Sequence, residues 1–249
     1  MLVFHSIFNF DQAAVTHLEQ RMNTRYTPGA TFPLQAWLLV AGTESPAKIK
    51  DISGNGISLL LEPGAPVTPD ATVQIRLRFG AHQQLAGGLV VHLHADEKGL
   101  HCGISLVFAD FPARKTYLQL LQPIAIGQSL QRVPEDRVIQ NEPQFIKQVF
   151  RGDEDSALTV WLANSAGTPL HSFEFQMQDY FCHVDGKSGV LEAYQREDSG
   201  SHKGKLSHPV FDISGSLQSE IRQLFRWILP NLSASVPDDV RAFLQRFAT

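Results

Sequence analysis

Sulfur is scarce in this chain. Two cysteines in 249 residues, Cys102 and Cys182, are too few to staple a disulfide scaffold. Excess basic charge is also missing. Lys and Arg number 21 against 25 Asp and Glu, a formal net charge of −4, which disfavours a broad surface that coats duplex DNA but leaves room for a small local anion site. No apolar run approaches the roughly 20 residues that a spanning helix needs. The opening MLVFHSIFNF is apolar but lacks a basic n-region and makes a poor signal peptide. The 43% hydrophobic and 18% charged fractions are those of a globular chain rather than a disordered, collagen-like or coiled-coil one. A cytoplasmic, reduced protein of one large or two smaller domains is expected.

Strand signals dominate the first half. Asp11 to Gln20 reads as a short helical arm, followed by Arg21 to Arg25 and a break at Pro28-Gly29. From Phe32 the pattern turns strand-like, with a turn-rich patch from Val40 to Pro46. Strand signals then start at Ile49, at Ile57 to Leu61, at Gly87 to Leu93 and at His101 to Phe108. Val73, Ile75, Leu77 and Phe79 alternate with Gln74, Arg76 and Arg78 in the cleanest two-residue period of the chain. Short strands separated by Gly/Pro turns predict a small antiparallel barrel or sandwich, followed by a helix over Pro112 to Gln122. Residues 126–144 are polar with two prolines and read as a linker. An α+β domain is expected over 145–249. Its strands are Leu158 to Leu162, Phe173 to Gln178, Phe181 to Val184 and Val190 to Tyr194, with a loop over Glu197 to Pro209. A helix over Ser216 to Leu229, capped by Ser216, and a last one over Asp238 to Phe247 complete it. The fold class is therefore mainly β, α+β overall.

Two segments carry chemistry together. One is Arg21-x-x-x-Arg25. The other is Asp51-Ile52-Ser53-Gly54-Asn55-Gly56, a D-x-S-x-x-G turn ahead of the strand at Ile57. Neither is specific alone. Arg222 and Arg226 repeat the arginine spacing behind Asp212-Ile213-Ser214. They fall on the polar face of the strongest amphipathic helix with no following glycine, so that copy reads as structural. In the first copy the arginines precede the strand set and the turn lies between two strands. This arrangement closely resembles the PilZ domain, a bacterial receptor for the second messenger cyclic di-GMP. The resemblance spans about Gln20 to Gln122 and includes the late strand Gly103-Ile104-Ser105-Leu106-Val107-Phe108, with Leu106 where an aromatic is often found. It implies a six-stranded antiparallel barrel over 21–125, after an arm at 1–20, with the arginines wrapping the nucleotide against the barrel. Gln20 stands where many relatives carry another basic residue, at a position associated in the family with how many nucleotides bind.

The residue types suit such a ligand on physical grounds. Arg21 and Arg25 offer planar, bidentate donors to phosphate or to the O6/N7 edge of guanine, and they stack on bases. Asp51 accepts from the N1/N2 edge of guanine, and Ser53 donates to phosphate. Gly56 lets backbone or ligand come close and tolerates a positive φ. The expected ligand is cyclic di-GMP, bound without catalysis, with a downstream protein partner and no DNA. The alternative is an adaptor of the same fold that works without nucleotide. His92, His94, His101 and Cys102 suggest a metal site, but no carboxylate falls at a ligand spacing, so outward-facing barrel residues are the simpler reading. No nucleophile elbow, P-loop or dinucleotide fingerprint is present, so no enzyme is expected.

Overall fold

The computed structural model describes residues 24–153, 155–165, 169–197, 208–210 and 213–248. The expected arm helix and Arg21 lie outside these residues. The chain divides into two compact units that meet between Ile124 and Ala125. No helix among the described residues is long and apolar enough to cross a membrane.

The first unit is a closed antiparallel barrel. Its strands are β1 (Leu34–Val40), β2 (Thr43–Ile52), β3 (Gly56–Leu61), β4 (Thr72–Phe79), β5 (His82–Asp96) and β6 (Gly99–Val107), in the order β1-β2-β3-β6-β5-β4 with β4 closing on β1. Closure leaves no strand edge unpaired. The alternation of β4 puts Val73, Ile75, Leu77 and Phe79 inside, where they meet Leu38, Leu59, Val90 and Ile104. The turn-rich patch shrinks to Ala41-Gly42, both at positive φ (47° and 84°). That is the geometry of a two-residue hairpin turn, so β2 resumes at Thr43 and runs through Pro46 opposite Trp37.

Helix α1 (Phe111–Ser129) continues through Pro123, seven residues beyond the expected end. Residues 126–144, read as a linker, hold its last turn, a two-residue strand β7 (Gln131–Arg132) and a 3-10 turn at Glu135–Arg137.

The second unit is a seven-stranded antiparallel meander. After β7 come β8 (Phe145–Arg151), β9 (Ser156–Ala163), β10 (Leu170–Met177), β11 (Tyr180–Val184), β12 (Leu191–Glu197) and β13 (His208–Val210), each paired with the next. Lys147 and Gln148 interrupt the apolar pattern of β8, which hid that strand from the sequence reading. Two helices, α2 (Gly215–Ile228) and α3 (Asp238–Gln245), supply Ile221, Leu224, Phe225, Ile228, Val240 and Phe243 to the core. Phe225 stacks on Phe173 with centroids 5.6 Å apart and meets Phe175 edge-on, while Phe243 meets Phe173 edge-on. The cap of α2 is Ser214, not Ser216: its hydroxyl accepts from the Leu217 N–H. Arg222 and Arg226 are half-buried rather than solvated, and Arg222 Nη2 donates to the Leu191 carbonyl of β12 at 3.2 Å.

Candidate ligand site

The site starts from one backbone bridge. Tyr26 donates its N–H to the Ile52 carbonyl and accepts from the Ile52 N–H, both at 2.8 Å, and its side chain is buried. This pins the strand-free segment before β1 to the end of β2. Arg25 is thereby set beside Asp51, and its Nη1 lies 3.0 Å from Asp51 Oδ1. The Arg25 side chain is 73% exposed, so most of its donor fork stays open to solvent or ligand.

Asp51 faces outward because β2 is bulged. Ile49 pairs with Leu59 and Asp51 with Ser58, which leaves Lys50 as the extra residue. One added residue flips the alternation, so Ile49 and Ile52 point inward while Asp51 joins Ser58 on the outer face.

The turn after β2 is held from three sides. Ser53 N–H donates to the Gly56 carbonyl at 2.8 Å, and the Asn55 carbonyl accepts from the Leu106 N–H at 2.8 Å. The Tyr117 hydroxyl donates to the Ser53 carbonyl at 2.6 Å. Tyr117 is wholly buried, and burial pushes its pKa well above the ordinary value, which keeps the phenol protonated as a donor. Ser53 is itself buried, and its hydroxyl donates to the Gly56 carbonyl at 3.3 Å. Gly56 is not at a positive φ. Its need is space, because a Cβ there would lie 3.0 Å from the Ile104 carbonyl of the neighbouring strand.

A recess of about 360 Å³ opens beside this turn, within the size range of ligand pockets. Arg25, Ser53 and Gly56 line it, while Asp51 touches it through Arg25. Its floor is the β3–β6 pair, where Gly56 lies opposite Ser105 and Ser58 opposite Gly103. Four small residues in two rungs leave a trough where longer side chains would fill the surface. Its far wall is His92 of β5 and His101 of β6. In sequence these histidines read as outward-facing barrel residues or, less simply, as metal ligands, and neither reading placed them, Asn55, Ser58 or Ser105 at the site. The Asp96–Gly99 turn already suggests that His101 lies across a hairpin from His92 and His94, but the shift of register that aims His92 is not visible in sequence. Cys102 points into the barrel, away from all three histidines, as strand alternation requires. Among the described residues no group of three or more His, Cys, Asp or Glu side chains is placed to hold a metal.

Residues 19–122 match the family model of the PilZ domain. That stretch is a PilZ domain. The PilZ domain covers the barrel and the first half of α1, and the Arg25, Asp51 and Ser53 positions lie within it. Solved structures similar to the chain include the PilZ domain of YcgR from Escherichia coli with c-di-GMP. It is 13% identical over 39% of this chain and 85% of that one, with a TM-score of 0.34. Another is the PlzA protein of Borreliella burgdorferi in complex with c-di-GMP, 10% identical over 85% of this chain and 98% of that one, with a TM-score of 0.35. No curated protein matches the sequence.

Proposed function

We propose that the chain is a cyclic di-GMP receptor whose PilZ domain binds the nucleotide in the recess beside the Asp51–Gly56 turn. The observation that carries this reading is the Arg25–Asp51 pair at 3.0 Å, on the lip of a trough floored by small residues. The pair offers opposite hydrogen-bonding characters to one ligand. The guanidinium suits phosphate oxygens or the O6/N7 edge of guanine, and the carboxylate suits its N1/N2 edge. Arg21 joins from the same segment, and Ser53 and Gly56 shape the turn. No bond is made or broken. Binding is coupled to a change in conformation or partner affinity through the second unit, with residues 1–20 as an arm and 145–249 as the responding domain.

Calorimetric titration with cyclic di-GMP tests the reading. Saturable binding by the wild type, clearly weakened in Arg25→Ala, supports it. A wild type with no heat of binding and no ligand-induced thermal shift removes it.

One observation favours an adaptor as a second reading. Leu85, Leu89 and Val91 on β5, Val107 on β6 and Phe111 at the start of α1 are all large and exposed. Val107 lies across from Gly87, between Leu85 and Leu89, so the strand residues form a stripe on the barrel wall. A partner whose affinity ignores cyclic di-GMP and falls in Leu89→Glu would favour this reading.

A further inference from the structure

The wall opposite the arginine has its own construction. Along β5, Ala86, Gly88 and Val90 point inward, and continued alternation would send His92 into the barrel. It does not go there, because β5 is bulged: Val90 pairs with Ile104 and His92 with Gly103, leaving Val91 as the extra residue. Bulges of this kind re-aim side chains and gather beside functional sites. Here the bulge turns His92 outward onto the trough, as the Lys50 bulge of β2 turns Asp51. The strands run β2-β3-β6-β5, so the two bulges flank the same small-residue floor from its two sides. Gly103 makes room for the second ring, since a Cβ there would lie 3.1 Å from the His92 Cβ.

His101 is held by a different device. Its Nε2 lies 2.9 Å from Asp96 Oδ2, and the other oxygen of that carboxylate accepts from the Lys98 N–H at 2.8 Å. That N–H is the largest single cause of an Asp96 pKa below its ordinary value, and His101 lowers it further. A carboxylate partner requires the proton on Nε2, so the neutral ring keeps Nδ1 as an acceptor. His94 is the outward residue opposite His101, with ring centroids 6.5 Å apart, but it does not line the recess.

Resting on the receptor reading, we propose that His92 and His101 are base-contact residues that receive one purine of the cyclic dinucleotide against the wall facing Arg25. Imidazole supplies a flat face for stacking and one acceptor for a base N–H, which an aliphatic wall would not.

The test is calorimetric titration of the full chain with cyclic di-GMP at pH 7.5. The set is wild type, Arg25→Ala, His92→Ala, His92→Gln, His101→Ala and His94→Ala, each checked for an unchanged far-ultraviolet spectrum and melting curve. NMR of the histidine ring protons during titration supplies a second readout. Affinity falling on the order of 10-fold in His92→Ala and His101→Ala, unchanged in His94→Ala, with ring resonances of His92 and His101 moving on saturation, is the expected result. Wild-type affinity in both histidine variants, alongside weakened binding in Arg25→Ala, overturns this inference and leaves the receptor reading standing. Absence of binding by the wild type overturns both.

Discussion

Arg25 and Asp51, 26 positions apart in sequence, meet at 3.0 Å on the outer wall of the barrel. With the arginine 73% exposed, the pair is worth little to the fold, because solvent screens it and two side chains lose freedom in forming it. Arg25→Ala is therefore expected to change the unfolding free energy by no more than about 1 kcal/mol. In the receptor reading the same substitution lowers cyclic di-GMP affinity by about 10- to 100-fold, the worth of a charge-assisted bond. Urea unfolding and calorimetry on one preparation separate the two effects.

Tyr117 is expected to behave in the opposite sense. Its hydroxyl is buried and satisfies the carbonyl of Ser53. Tyr117→Phe removes the donor and leaves that carbonyl without it, at a cost of about 1–3 kcal/mol. Equilibrium denaturation measures this directly. A loss well under 1 kcal/mol would mean that water or another donor replaces the phenol.

The barrel interior is intolerant at Gly88. A Cβ there would lie 2.4 Å from Ile104 Cγ2 and 3.1 Å from Ile75 Cδ1, both in the packed core. Gly88→Ala is expected to destabilise by about 1–3 kcal/mol through overpacking. Gly42 meets nothing within 4 Å. There the strain comes from its φ of 84°, so Gly42→Asn, which accepts that region, should melt close to the wild type.

The cap of α2 separates two serines. Ser214 accepts from the Leu217 N–H, so Ser214→Ala should lose about 0.5–2 kcal/mol. Ser216→Ala, past the cap, should stay within about 0.5 kcal/mol. The reverse order in thermal melts would return the cap to the serine that periodicity favoured.

These contrasts mark where the sequence was informative. The alternation of β4 and the apolar stripe of α2 each serve one packed face, so a single period reveals them. The Asp51–Gly56 turn was legible because Asp, Ser and Gly each have a local reason to be there. The bulges at Lys50 and Val91 were not, since an unpaired residue is defined by the partner strand and leaves no mark on its own. The Tyr26–Ile52 bridge and the Tyr117–Ser53 bond escaped for the same reason: each joins segments far apart in sequence through contacts without a motif. Arg222 reads in sequence only as a polar-face residue, because helical periodicity cannot see the carbonyl of Leu191 beside it.

The two cysteines have a practical use. Cys102 and Cys182 are both buried, one in each compact unit, and burial raises both thiol pKa values, to about 11 for Cys102. The folded chain should resist alkylation at neutral pH, because the thiolate is both scarce and shielded. Each sulfur thus becomes a clock on its own half of the molecule. Pulse labelling followed by peptide mass analysis would time the opening of barrel and meander separately, without installing a probe in either.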